Sequence, residues 1–318
     1  MRTIRTLAII AAPAFVLAGC AAAETQTEAG STTLCDPAMS GEASEVVSVS
    51  GEKDGEIELT FPTPLNTENS QTTIVQKGEG REFTGEALSR FQYSIYNGVS
   101  GELIGSTGFE GDQLAKVFAT AESVPNFCNV FAGIPSGSSF VTVFAPDDFH
   151  DGLGNPDFGI SAEDSVVMYV ELEEIAYPRA TGEGQAQQAG FPTVVLTPEG
   201  QPGIQPLEGS APEEFSSNVL IEGNGEEIAT GDVVNVHYSG WTWDGTQFDS
   251  SWERGTPAEF TVSQQALIEG FVMALEGVKV GSQVIAIIPP ELGYGDAGNA
   301  SIPGGATLVF VVDVLSID

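Results

Sequence analysis

Few residues in this chain could do covalent or metal chemistry. Its 318 residues include three cysteines and two histidines. His237 lies in the middle of the strand-like run VVNVHYSG with no second ligand nearby, and reads as a core or edge histidine. His150 lies in DDFHDG beside Asp147, Asp148 and Asp151. Carboxylates and one imidazole could hold a cation, but the spacing is not that of an EF-hand loop, so a solvated acidic loop is the simpler reading. Gly293-Tyr294-Gly295-Asp296-Ala297-Gly298 spells G-x-G-x-x-G. A dinucleotide fingerprint must follow a strand and open a helix. This one follows Pro289-Pro290 and leads into NASIPGG, which cannot be helical, so it is set aside. There is no Ser/His/Asp set of the hydrolase type. The sequence calls for no cofactor and no metal.

The bulk numbers narrow the classes further. Hydrophobic residues make up 41% and charged residues 17%, enough to bury a core. Gly 38 and Pro 18 favour turns and short strands over long helices. There are 45 acidic and 10 basic residues, a net charge of -35. Nucleic-acid binding needs a basic footprint and is excluded, as is a polybasic membrane patch. The charge reads as a solubility device suited to a monomer.

Arg2 and Arg5 precede the apolar run LAIIAAPAFVLAG, too short to span a bilayer and shaped like a signal peptide, residues 1–19. Its end, Leu17-Ala18-Gly19-Cys20, resembles the lipobox of bacterial lipoproteins. The resemblance implies that Cys20 becomes the first mature residue, carries diacylglycerol and anchors the protein to a membrane outside the cytoplasm. The alternative is an uncleaved signal with an ordinary cysteine. Residues 20–43 read as a flexible tether. The other cysteines, Cys35 and Cys128, leave two readings: one bridge, which an exported protein permits, or two buried thiols.

The chain repeats itself. IVQKGEGREFTGE (74–86) resembles VLIEGNGEEIATGD (219–232), and Tyr93 falls opposite Tyr238. Residues 124–149 follow the pattern of 268–293, and SVVMYVELEEI (165–175) that of TLVFVVDVLSI (307–317). The offset stays between 142 and 145, which indicates two copies of one fold. VVNVHYSG and QVIAIIPP predict strands with one buried face, and TLVFVVDV a central strand. SQQALIEGFVMALEG is the one convincing helix, with Ala266, Phe271, Leu275 and Val278 on its stripe and Gly277 at its end. The class is α+β: two domains, 44–176 and 213–318, each a twisted antiparallel sheet wrapped on one short helix, joined by a Gly/Pro-rich linker, 177–212, with an extended piece at Phe191–Leu196.

HYSGWTWDGTQFDSSWERGTPAEF, ALIEGFVMALEGVKVGSQVIAIIPPELGYG and IPGGATLVFVVDV, in that order, resemble the signature blocks of FKBP-type peptidyl-prolyl cis–trans isomerases, and cover nearly all of 213–318. The resemblance implies catalysis of X–Pro isomerisation, whose barrier of about 18–20 kcal/mol is amide resonance. No covalent bond is made or broken, so no nucleophile is needed. A twisted amide is less polar at nitrogen, and a dry aromatic pocket favours it over the planar form. A rate gain of about 10⁵ asks roughly 7 kcal/mol of that preference.

By the same resemblance Tyr238, Phe248, Leu267, Ile268, Phe271, Tyr294, Ile302 and Phe310 form the walls and floor. The Ile268 N–H and the Tyr294 hydroxyl donate to bound carbonyls, and Asp249 is a pocket carboxylate held by Tyr238 and Arg254. Phe260 and Leu275 read as ordinary core. Phe271 stands where the family often has Trp, Ala258 where an aromatic is frequent and Asn299 where His is frequent, changes expected to alter substrate and macrolide affinity more than basic activity. In the first copy Ile104-Gly105 stands opposite Phe248-Asp249 and His150 opposite Tyr294, while Tyr93 and Phe127 are kept. This copy resembles a degenerate domain without activity. The leading expectation is an isomerase acting on proline-containing, unfolded or exported polypeptides and open to macrolide inhibitors. The alternative is a surface-tethered peptide-binding chaperone with incidental turnover.

Overall fold

The structure, a computed structural model, describes residues 35–51, 57–109 and 114–318. The signal segment, Cys20 and most of the tether lie outside the described residues. The first copy comprises α1 (Glu42–Glu45), β1 (Ser48–Ser50), β2 (Glu58–Thr60), β3 (Gln71–Gln76), β4 (Ala87–Asn97), β5 (Leu103–Ser106), β6 (Ala115–Ala119), α2 (Phe127–Phe131), β7 (Ser138–Phe144), α3 (Pro146–His150) and β8 (Val166–Ile175). After it come β9 (Glu183–Gly184), β10 (Thr193–Leu196), β11 (Pro202–Gln205), β12 (Ser216–Glu222), β13 (Val233–Thr242), β14 (Gln247–Ser250), β15 (Ala258–Thr261), α4 (Glu269–Leu275), β16 (Gln283–Ile288) and β17 (Leu308–Ile317).

The two main sheets share one topology. In the first the order is β3-β7-β8-β4-β5 with β6 also on β4; in the second β12-β16-β17-β13-β14 with β15 also on β13 and β9 at the far edge. Every pairing is antiparallel, as the α+β class requires. Even the irregularities repeat. The bulge after Arg90 on β4 recurs after Asn235 on β13, and that after Ile74 on β3 recurs after Val219 on β12, each 145 residues on.

Period-2 alternation assigns the faces. On β13, Val234, Val236 and Tyr238 join the core beneath α4, and Trp241 joins a cluster on the opposite side. The expectation of strands with one buried face is therefore corrected: β16 is buried at every position and β13 at all but its first. The cause is a cover on the second face. Residues 177–212, read as a linker, connect the copies but are not free chain. β10 and β11 form a hairpin whose Val194 packs with Leu220, Trp241, Ile285, Val309 and Val311. The first copy is covered the same way, with Ile57 and Leu59 on Val141, Val143, Val167 and Tyr169. The paired residues are Val49–Leu59 and Val194–Ile204, again 145 apart. The hairpin therefore belongs to the repeat.

A second correction concerns the helix. The periodicity spans 263–277, but α4 begins at Glu269. The N–H groups of Ala266 and Leu267 both bond to the Ser263 carbonyl in a turn. Gly277, at φ +76, ends the helix as expected. In the first copy α2 takes the place of α4, joined by the single-turn helices α1 and α3. Residues 35–43, read as tether, are tied down too. Cys35 is disulfide-bonded to Cys128 in α2 with a Cα–Cα distance of 5.5 Å, and the Ala38 N–H donates to the Asn129 carbonyl.

Three of the described cations tie the first copy to the chain that follows it. Lys116 on β6 bonds to Glu259 on β15 and to Asp318, Arg90 lies 3.8 Å from Asp318, and the Arg81 guanidinium sits 3.1 Å from the Tyr177 ring centroid.

The cover over the second sheet is pinned by a buried carboxylate. Asp313 is 2% exposed and accepts from the Ala180 N–H at 2.8 Å and from Gln283 Nε2 at 2.7 Å. Burial pushes its carboxyl up to about 6 from 3.8, against the pull of those two bonds. The folded chain thus holds this proton more tightly than the unfolded one. The associated stability is fully present below about pH 4 and is lost as pH rises through about 6, on the order of 2–3 kcal/mol. Asp313→Asn, which keeps an acceptor for Ala180, is expected to flatten that slope. Denaturant melts of both proteins at pH 4 and pH 7 measure it, and equal slopes would contradict the assignment.

Candidate active site

The pocket of the second copy is assembled from six separate segments. β13 contributes Tyr238 from its helix-side face. β14 brings Phe248 and Asp249 alongside, with Asp249 in register with Gly240. Gly240 is also in register with Phe310 on β17, and a Cβ there would sit 2.6 Å from the Phe248 ring and 2.8 Å from the Phe310 ring. Only glycine lets those rings meet, which they do edge-to-face at 5.5 Å. The turn before α4 and its first residues supply Leu267, Ile268 and Phe271, and Tyr294 comes from the loop after β16.

These residues enclose about 390 Å³ together with Phe260, Gln265 and Ala266. Phe271 is the floor, 3% exposed, with Tyr238, Phe260 and Phe310 at 6.2, 5.7 and 5.0 Å between ring centroids. Ile268 lies just before the first helical residue, where backbone N–H groups have no partner inside the helix. That amide is the kind of donor a bound carbonyl would use. The Tyr294 side of the cavity is open, with that residue 37% exposed.

One polar network edges the cavity. The Tyr238 hydroxyl donates to Asp249 Oδ2, Arg254 Nη1 donates to Asp249 Oδ1, and Arg254 Nη2 donates to the Tyr238 oxygen at 3.1 Å. Burial raises the Asp249 carboxyl, but the bonds from Tyr238 and Arg254 outweigh it and hold the group below its usual value. Burial, together with the Asp249 bond, pushes the Tyr238 phenol up to about 12. The carboxylate is therefore an oriented, ionised acceptor with its negative charge balanced by Arg254. The Asp249 and Arg254 side chains are 41% and 47% exposed, so the pair orients more than it stabilises.

Of the residues singled out from sequence, Tyr238, Phe248, Asp249, Leu267, Ile268, Phe271, Tyr294 and Phe310 line one cavity. Arg254 stands behind the lining and acts through Asp249 and Tyr238. Ile302 does not reach the cavity and is 3% exposed in the core. Phe260, read as core, is corrected: it packs against Tyr238 and Phe271 and faces the cavity. Ala266 lines it because it is off the helix. Leu275 is fully buried core, as read.

His237 is 6% exposed, bonded through Nδ1 to the Ser251 hydroxyl and stacked on Trp252 at 4.1 Å. Burial, with the positive Arg254 nearby, pushes it down to about 4, so it stays uncharged in the core. His150 is engaged at both nitrogens, Nε2 with the Asp164 carbonyl and Nδ1 with the Gly154 N–H, each at 3.0 Å. Among the described residues, no group of three His, Cys, Asp or Glu side chains is placed to hold a metal ion.

An aromatic cavity with one oriented carboxylate and a free amide at its rim is suited to gripping a small apolar ring flanked by carbonyls, the shape of a prolyl peptide. Comparison agrees. The profile described as FKBP-type peptidyl-prolyl cis–trans isomerase matches residues 224–315. An FK506-binding protein of Streptomyces anulatus is 38% identical over 112 residues, 34% of this chain and 90% of that protein. A probable FK506-binding protein of Corynebacterium glutamicum is 39% identical over 117 residues, 36% of this chain and 98% of that protein. The crystal structure of FkpA from Escherichia coli is 33% identical, covering 41% of this chain and 54% of that one at a TM-score of 0.32. The chain belongs to the FKBP-type peptidyl-prolyl cis–trans isomerase family, and it is an isomerase of X–Pro bonds.

Proposed function

We propose that this isomerase is exported, held to a membrane through lipid on Cys20, and turns over X–Pro bonds of exported polypeptides with its second copy alone. The observation that carries the active-site assignment is the convergence of Tyr238, Asp249, Phe271 and Tyr294 on one cavity. The proline ring lies over Phe271 between Tyr238, Phe248 and Phe310. The Ile268 N–H and Tyr294 hydroxyl take the flanking carbonyls. Asp249, fixed by Tyr238 and Arg254, sets the polar edge. Macrolides that mimic a prolyl peptide compete for the same cavity.

Export is supported by the lipobox-like end of the apolar leader and by the Cys35–Cys128 disulfide, a bond that persists where thiols are not kept reduced. Uncatalysed isomerisation takes about 10–100 s, long enough to leave exported chains unfolded beyond the reach of cytoplasmic chaperones. The test is fractionation. The wild-type protein is expected in the membrane fraction with a blocked N-terminus at Cys20, and Cys20→Ser is expected to release it or leave the leader attached. A wild-type protein that is wholly soluble with an unmodified N-terminus would refute the anchor.

The first copy is assigned no turnover. Ile95, Gly105 and Met168 occupy the register positions of Gly240, Asp249 and Phe310. The carboxylate is replaced by a hydrogen, the Phe310 ring by the thioether chain of Met168, and the Phe248 ring, one residue before the carboxylate, by Ile104.

A further inference from the structure

The degenerate copy still has a cavity. It encloses about 610 Å³, against about 390 Å³ in the isomerase pocket, and its walls include Phe91, Tyr93, Ile104, Phe127, Phe149 and Met168. We propose that it is a second substrate site, taking a large apolar side chain of the same unfolded polypeptide whose X–Pro bond occupies the second copy. The identity of that polypeptide rests on the isomerase reading above.

A prolyl peptide bond loses polar partners here that the second copy provides. With Gly105 in place of the carboxylate and both His150 nitrogens already bonded, His150 is a wall and adds no free polar group to match a bound amide. An aromatic or long aliphatic side chain needs no such group. Its volume suits the site, since ligand cavities run from about 300 to 1,000 Å³. The mouth is apolar too. Phe158 lines the cavity while 57% exposed, and Val124, next to the lining residue Pro125, is 49% exposed. On a chain of net charge -35 such a rim favours neutral or basic segments over acidic ones.

Continuity with the isomerase pocket identifies the occupant. Ala115 and Val117 on β6 line the cavity, and Lys116 between them bonds to Glu259 on β15. The next residue of β15, Phe260, lines the isomerase pocket. The two cavities thus sit on strands clamped to one another. A polypeptide held in one presents its neighbouring segments to the other at an effective concentration in the millimolar range.

The test uses the full chain and two long unstructured peptides. Both carry one Leu-Pro near one end, and they differ only in a Trp or an Ala well downstream. With the wild-type chain the Trp peptide is expected to show a KM about tenfold below that of the Ala peptide. Gly105→Phe fills the cavity from a position whose Cβ would meet only Ile95 Cγ2, at 3.7 Å, and is expected to erase the difference. Phe158→Ser changes an exposed position and is expected to shrink it without disturbing the core. Equal KM values for the two peptides, alongside normal turnover of a short X–Pro peptide, would overturn the second site and leave the isomerase reading intact. Loss of turnover on every peptide would strike the isomerase reading instead. In that case a proline-free Trp peptide decides by fluorescence anisotropy. Saturable binding that Gly105→Phe abolishes supports the site. No binding, or binding displaced only by a fatty acid, overturns it.

Discussion

In the full chain, Asp249→Ala is expected to lower kcat/KM for a short X–Pro peptide by about 10- to 100-fold. The substitution deletes the acceptor for both the Tyr238 hydroxyl and the Arg254 guanidinium. Hydrogen bonds to a charged group are worth about 1.5–3 kcal/mol, and if that orientation serves the transition state the loss appears as rate. Folding should be little affected, because Asp249 is 41% exposed and its ion pair is solvated. Thermal melting with unchanged midpoint, beside reduced turnover, is the expected pair of results. Adding Tyr294→Phe is expected to bring the rate close to the uncatalysed value. Because both substitutions lie in the second copy, wild-type turnover by the double variant would place activity in the first copy and overturn its assignment as silent.

Reduction of the Cys35–Cys128 bridge is expected to produce the largest change in stability. The bond closes a loop over 93 positions, and loop-closure entropy for a ring of that size corresponds to about 4.6 kcal/mol. Cys35 and Cys128 are 2% and 0% exposed, so the thiols left behind stay packed and the loss falls on the unfolded-state side. For a unit of about 150 residues this is a fall of roughly 10 °C in midpoint. The tryptophans offer a way to localise it. All three, Trp241, Trp243 and Trp252, belong to the second copy. Circular dichroism should show a transition moving down with reductant or with Cys128→Ser, while the tryptophan-reported transition moves less. Identical melts with and without reductant would show that the bridge contributes nothing.

Much of the second copy was legible in the sequence because its pocket residues occur in uninterrupted signature blocks, and because β17 is a ten-residue strand whose apolar run is broken only by Asp313 and Ser316, a pattern that suits a central strand. The parts that escaped did so for physical reasons. β10 and β11 are four residues each, too short for alternation to register, and their flanking glycines and prolines have the composition of a linker. What could have revealed them was the repeat itself. Val49 and Leu59 recur as Val194 and Ile204, a match that the low similarity between the hairpins conceals. Phe260 failed for a different reason. It shares its strand face with Ala258 and packs on core rings, and whether such a ring ends at a cavity or at another side chain depends on the turn at 263–267. That turn was hidden by a helical apolar pattern running through it, although the chain turns helical only after Ile268.

The covering hairpin also decides where this chain can be divided. A fragment starting at residue 213 has every signature block of the isomerase but leaves β10 and β11 behind. Trp241, Ile285, Val309 and Val311, each at most 4% exposed in the intact chain, would then face water. Asp313 would lose the Ala180 amide and become a carboxylate at the edge of a newly bared apolar face. Such a fragment is prone to self-association through that face. A cut near residue 177, before Ala180, keeps the second copy wrapped on both sides, and it is the boundary at which the protein's duplication places the start of a self-sufficient unit.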